Sequence, residues 1–174
     1  PNPGTSYYGG MRAYIIYNVW VDRFWDGNST NQPSDPDMTG GDFQGLIDQV
    51  QYFCDLGINA FQLSPIYDFG GGAWGYNQND LYRMQGSFVN QNWNQYRGWD
   101  DYIKLVKEMK HHNISMGIDW IAGQIYGDAG SGGTISQNPL MWFGERFGGR
   151  RILQYVADPR QYFVDHTRFM HAVG

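Results

Sequence analysis

Three segments, Tyr14–Val21, Ile58–Ile66 and Ile114–Ala122, are nearly continuous runs of apolar, β-branched and aromatic residues, and an amphipathic helical pattern separates each from the next. Continuous apolarity over so short a length marks a strand buried on both faces of a parallel sheet. Between the first two runs, Phe43, Leu46, Ile47, Val50, Phe53 and Cys54 recur at helical spacing from about Asp42 to Leu56, with Gly57 placed to end the helix. A second helix, roughly Asp100 to His112, puts Tyr102, Ile103, Val106 and Met109 on one face. The order β-α-β-α-β demands parallel strands with right-handed crossovers, in either a doubly wound sheet or a barrel. Periodicity does not choose between them. In both, ligand chemistry gathers at the carboxyl ends of the strands. Those ends carry Asp22 and Arg23, then Ser64 to Tyr67, then Asp119 to Gln124.

A further helix is predicted from Asp158, with Pro159 at its first position, to about Val173. Residues 123–155, rich in Gly, Asn and Ser, are too long for a plain connection and read as a small inserted subdomain or a mobile loop. The 174 residues are otherwise expected to form one domain. A net charge of −5 without a basic cluster gives no footprint for nucleic acid or an anionic membrane surface. No apolar run approaches the ~18 residues of a membrane span, and no charged-then-apolar leader opens the chain. Cys54 is the only cysteine, which excludes an internal disulfide, and its place in the helix stripe reads as buried packing. His111 and His112 close a helix, where a solvent-facing cation complements the dipole. The 7 Trp, 13 Tyr and 10 Phe often neighbour Gly, Asn and Asp in loops, a mixture that suits sugar faces and hydroxyls as well as core filling.

After the first run come Asp22-Arg23-Phe24-Trp25-Asp26-Gly27-Asn28 and then Gly40-Gly41-Asp42-Phe43-Gln44-Gly45-Leu46. Carboxylate and amide oxygens around glycine suit a hard cation; the alternative is a polar loop with Asx turns. The second run reads Leu56-Gly57-Ile58-Asn59-Ala60-Phe61-Gln62-Leu63-Ser64-Pro65-Ile66-Tyr67, and Gly75-Tyr76-Asn77-Gln78-Asn79-Asp80-Leu81-Tyr82 follows. Together these resemble the α-amylase family of glycoside hydrolases, family 13, especially its cyclodextrin glucanotransferase and neopullulanase-like branches. The resemblance spans about Tyr14 to Gly174. It implies an α/β fold, the N-terminal portion (about three βα units) of a TIM (β/α)8 barrel with a short inserted subdomain after strand 3. It also implies a structural Ca²⁺ on Asp26, Asn28, Asn31, the Gly40 carbonyl and Asp42, with Gln32 standing where an Asn ligand is usual. Tyr76 inherits stacking on the sugar beside the scissile bond, and the resemblance implies substrate binding at Trp74, Asp119 and Gln124 as well, Trp74 standing where a histidine often precedes the Gly-Tyr pair and either adding a stacking surface or packing. Asp119-Trp120-Ile121-Ala122-Gly123-Gln124 matches the family's D-x-x-x-N-H only at Asp119. Gly123 cannot supply a side-chain ligand, and Gln124 keeps a donor without the imidazole.

The resemblance therefore implies retaining hydrolysis or transglycosylation of α-linked glucans, whose nucleophile and acid/base carboxylates are expected beyond Gly174. Asp22, Asp119, Asp128 and Glu145 are read as structural or surface acids. On that reading residues 1–174 are a truncated piece, expected to be inactive alone and insoluble or loosely packed. The expected partner is an α-glucan, and the family favours a secreted or extracellular location. The competing expectation is an amylase-like module without turnover that binds carbohydrate or associates with a partner; a third is a small α/β protein unrelated to sugars.

Overall fold

The computed structural model describes residues 13–69, 75–76, 78–90, 98–120, 124–126, 141–147, 150–155, 167–168 and 171, with the backbone alone given for 78–82 and from 124 to 155. In chain order the elements are β1 (Ile16–Val19), the single turn α1 (Val21–Phe24), α2 (Phe43–Asp48), α3 (Val50–Asp55), β2 (Ala60–Leu63), β3 (Tyr67–Phe69) and β4 (Gln78–Met84). A 3-10 turn (Gly86–Phe88), α4 (Gly98–His111), β5 (Ser115–Ile118), β6 (Gln124–Tyr126), β7 (Met141–Phe147) and β8 (Arg150–Tyr155) follow.

β1, β2 and β5 are the three apolar runs. They pair in parallel in the order β1-β2-β5, with Ile16, Ala60 and Ser115 in one row and Asn18, Gln62 and Gly117 in another. Parallel neighbours require crossovers, which α2–α3 and α4 supply. Strand alternation sends Tyr17, Val19, Phe61 and Leu63 to the helix-covered face. There Phe53 of α3 meets Phe61 edge-on at 4.5 Å, stacks on Phe24 at 5.0 Å and contacts Tyr17 at 5.6 Å. The opposite face differs from the expectation of strands buried on both sides, because Ile16, Asn18, Gln62, Ser115 and Gly117 are exposed on it. This is the face that a closed barrel turns inward, where residues from its other strands cover it.

The first predicted helix is two. Asp42 caps α2 by accepting from the Gly45 N–H, and Gln49, at φ −99° and ψ 16°, separates α2 from α3. α4 begins two residues earlier than the pattern indicated. Its first turn holds Asp100 and Asp101 and its last Lys110 and His111, each sign matching the dipole, while Trp99, Tyr102, Leu105, Val106 and Met109 are buried. Burial pushes the Tyr102 phenol up to about 12. Within 123–155 the structure places β6, β7 and β8 in an antiparallel sheet ordered β6-β8-β7. The predicted helix from Asp158 to Val173 lies outside the described residues except at 167–168 and 171, which are helical. Among the described residues no helix is long and apolar enough to cross a membrane.

Candidate functional site

The loop from Asp22 to Asp42 is fastened by its own first residues. The Asp22 carboxylate accepts from the backbone N–H groups of Thr39 (3.0 and 3.1 Å) and Gly40 (3.2 Å), and stands 3.2 Å from Arg23 Nε. Arg23 in turn donates to the Asp37 carbonyl. The chain then returns against α1, with Gly41 N–H on the Asp22 carbonyl at 2.8 Å and Asp42 N–H on the Trp25 carbonyl at 3.1 Å. A Cβ at Gly41 would collide with the carbonyls of Val21 and Asp22. Gly40, at φ 87°, takes the left-handed turn that brings the chain to that approach.

Asp42, 1% exposed, lies at the centre. Its Oδ1 accepts from Gly45 N–H (2.7 Å) and Gly27 N–H (3.1 Å), and its Oδ2 from Asn31 Nδ2 (3.0 Å). Burial pushes its carboxyl above the usual range and nearby Asp26 adds to this, against the opposing pull of those three hydrogen bonds. Asn31 Nδ2 also donates to the Val89 carbonyl at 3.0 Å, whereas Asn31 Oδ1 is buried with no hydrogen-bond partner. Gln32 Nε2 donates to Asp26 at 2.7 Å, and its amide lies against Gly40, where a Cβ would come 2.9 Å from Oε1. Asp26, Asn31, Gln32, Gly40 and Asp42 are thus brought together. Asn28 faces elsewhere, its Oδ1 accepting from Thr30 N–H (3.1 Å) and Oγ1 (2.7 Å) and its Nδ2 donating to Asn90 at 3.0 Å. Two neighbouring carboxylates, one of them desolvated, beside an orphaned amide oxygen form the donor set that a hard cation neutralises. Among the described residues no group of three His, Cys, Asp or Glu gathers as a metal site, so such a cage rests on amide and carbonyl oxygens as well.

At the strand ends the parallel ladder continues as a side chain and backbone lattice. Ser64 N–H donates to the Val19 carbonyl (2.8 Å), Asp119 N–H to the Leu63 carbonyl (2.8 Å), and Val21 N–H to Ser64 Oγ (3.2 Å). Asp119 therefore stands directly beyond β5. The Tyr76 hydroxyl donates to Asp119 Oδ2 at 2.8 Å, across 43 residues of sequence. That bond raises the Tyr76 phenol above its ordinary value, with burial and the carboxylate's charge adding to it. Gly75 sets the ring's position: it is buried at φ 74°, and a Cβ there would stand 2.6 Å from the Pro65 carbonyl oxygen. Tyr76 itself is 37% exposed and Trp20, at the end of β1, 42%. An exposed ring tethered by its polar end to a carboxylate offers a stacking surface beside a hydrogen-bond acceptor. Trp74 and Gly123 lie outside the described residues; Gln124 opens β6, its backbone opposite Ile152.

Sequence reasoning missed the clamp that Asn90 and the Val89 carbonyl place on Asn28 and Asn31, because the partners lie 62 and 58 residues apart. It also missed the contact of Cys54 Sγ with His112 Nδ1 at 3.6 Å; Cys54 is half-buried, and His112 is correspondingly not simply solvent-facing. The signal available was only that both residues end adjacent helices.

A parallel βαβαβ sheet with its polar groups at the carboxyl ends is consistent with the opening portion of a (β/α)8 barrel whose cleft lies over those ends. The family model for the α-amylase catalytic domain matches residues 18–125, and the chain belongs to that family. It is 29% identical over 177 aligned residues to a cyclomaltodextrin glucanotransferase of Thermoanaerobacterium thermosulfurigenes, covering 86% of this chain and 23% of that one. It is 27% identical over 146 residues to an α-amylase of Saccharomycopsis fibuligera, covering 78% and 28%. The chain thus spans about a quarter of the length of these relatives. Among solved structures, an Anoxybacillus α-amylase superposes with a TM-score of 0.74 at 24% identity, over 92% of this chain and 38% of that one. The cyclic α-maltosyl-(1→6)-maltose hydrolase of Arthrobacter globiformis in complex with its substrate gives 0.74 at 18% identity, over 92% and 42%.

Proposed function

We propose that this chain forms the first part of the glucan cleft of a retaining glycoside hydrolase or transglycosylase acting on α-linked glucose polymers. The observation that carries the reading is the Tyr76–Asp119 pair: an exposed ring anchored at 2.8 Å to a carboxylate at the carboxyl end of the sheet. The ring stacks on the apolar face of a glucosyl unit, and the carboxylate fixes the ring while its other oxygen accepts from a sugar hydroxyl. Retention also needs a pair of carboxylates roughly 5–5.5 Å apart across the scissile bond. Asp22 is engaged by Thr39, Gly40 and Arg23, and Asp119 by Tyr76, which supports structural roles for both; on this reading the reacting acids belong to other barrel segments. The relatives' names, a glucanotransferase and an α-amylase among them, support the substrate class.

We further propose a structural Ca²⁺ held by oxygens of Asp26, Asn31, Gln32, Gly40 and Asp42, with Asn28 shaping the loop. The ion would neutralise the two carboxylates and partner the orphaned Asn31 Oδ1. A carbohydrate-binding module without turnover is the second reading, favoured by Gly123 and Gln124 standing where the family carries Asn and His. Calorimetry of maltoheptaose with the full-length protein tests the cleft. Tyr76→Ala should weaken binding about tenfold, ~1.4 kcal/mol; unchanged affinity removes Tyr76 from the cleft.

A further inference from the structure

We propose that the cavity beside the 22–42 loop is an accessory site for a short neutral α-glucan, separate from the cleft at Tyr76 and Asp119. It lies between residues 30–38 of that loop, the end of β3 and the 85–90 segment, and has a volume of about 510 Å³. Small-molecule sites commonly span ~300–1,000 Å³. Neither Tyr76 nor Asp119 lines it. Met38 and Phe69 line both this cavity and a smaller one that touches Trp20 and Gly75, so these two side chains partition it from the cleft side. Its wall holds polar groups that the protein leaves short of partners. Ser87, 5% exposed, has a hydroxyl with no hydrogen-bond partner. Two residues earlier the Gln85 amide is half used. Its oxygen accepts from the Phe69 N–H at 3.3 Å, but its nitrogen meets the Met38 thioether sulfur at 4.0 Å, a weak and distant acceptor. Leaving such groups unmet is unfavourable in the free protein, and ligand oxygens in the cavity relieve it.

The wall chemistry selects the ligand. No Lys, Arg or His is among the described residues that line the cavity, so an anion finds no counter-charge there. Its carboxylates are already engaged: Asp68 lies 3.7 Å from Arg83, and Asp35 accepts from the Asp37 N–H at 2.9 Å. What fits is a neutral molecule with hydroxyl oxygens for Gln85 and Ser87 and apolar C–H faces for Met38, Phe69 and the rings of Pro33 and Pro36. A glucosyl unit has both. The choice of glucose over another sugar rests on the cleft reading above, because a second hold on the same polymer raises its effective concentration at the cleft.

Equilibrium dialysis of the full-length protein against labelled thiomaltose, whose sulfur bridge resists hydrolysis, tests the site. Asn31 and Gln32 stand on the same wall, so calcium is kept saturating to hold the loop in one state. A second class of site should appear that Tyr76→Ala spares and that Gln85→Met, keeping the side-chain length without the amide, removes. Ser87→Ala should weaken that class about fivefold. It should also leave the melting temperature of the sugar-free protein unchanged or higher, because the hydroxyl it deletes has no partner to lose. A single class of site, weakened by Tyr76→Ala, overturns the proposal. So does second-class binding that is unchanged in Gln85→Met or, should that variant fail to fold by circular dichroism, in Ser87→Ala. Binding indifferent to Tyr76→Ala but lost in Gln85→Met supports this site while removing the cleft reading.

Discussion

Removing the Tyr76 hydroxyl while keeping its ring separates anchoring from stacking. Tyr76→Phe loses the 2.8 Å bond to Asp119 and keeps the ring, whereas Tyr76→Ala loses the ring as well. In maltooligosaccharide turnover by the full-length protein, Phe should lower kcat/KM a fewfold and Ala by tenfold or more, about 1.4 kcal/mol per decade; equal effects would show that the ring does no stacking. Phe53 is a residue of a different kind, fully buried against Phe24, Tyr17 and Phe61. Phe53→Ala should cost about 3–5 kcal/mol in urea unfolding. Both positions are legible in the sequence, Tyr76 from the Gly75-Tyr76 motif and Phe53 from helical spacing. Their partners are less so. Nothing local says that the Tyr76 hydroxyl ends on Asp119, because that contact depends on where two strands and a loop finally pack.

The junction of α1 with α2 is the element on which the 22–42 loop depends. Gly45, in the first turn of α2, lies so close to the Trp25 carbonyl that a Cβ would overlap it. Gly45→Ala should therefore destabilise by about 1–3 kcal/mol despite alanine's better helix propensity, measured by chemical denaturation. Asp42 caps the same helix with a carboxyl whose folded value is raised by burial. The folded chain then holds a proton that the unfolded chain has already lost, so stability falls as pH rises through the window between the unfolded and folded values, and the full penalty remains at neutral pH. Asp42→Asn, which keeps an oxygen for Gly45 N–H, should abolish that slope in melting temperature against pH without added divalent cations; a slope that persists assigns it to another group. The patterns of α2–α3 and α4 were readable because a 3.6-residue period survives even the break at Gln49. β3 and β4 were not readable. Tyr67–Phe69 is three residues long, and Gln78–Met84 is dominated by polar residues that give no apolar alternation.

For the molecule as a whole, the parallel order of β1, β2 and β5 followed from alternating strand and helix patterns, but the choice of a barrel over a doubly wound sheet rested on motif resemblance. The exposed sheet face that carries Ile16, Asn18 and Gln62 bears the physical trace of that choice. Residues 123–155 offered only composition, and the antiparallel pairing of β6, β8 and β7 depends on contacts that composition does not encode. Calcium binding acts at this scale. At a free concentration about a hundredfold above Kd it contributes ~2.7 kcal/mol, which should raise Tm by roughly 5–10 °C for a domain of this size. Chelation should reverse the gain, and a Tm indifferent to calcium would contradict the proposed cage. The claim on which the functional account rests is a retaining cleft for α-glucans built on Tyr76 and Asp119. Proton NMR of the first product released from maltoheptaose by the full-length protein measures it: α-anomer is predicted, formed at a rate that Tyr76→Ala cuts at least about tenfold. Release of β-anomer, or turnover indifferent to Tyr76, would contradict it.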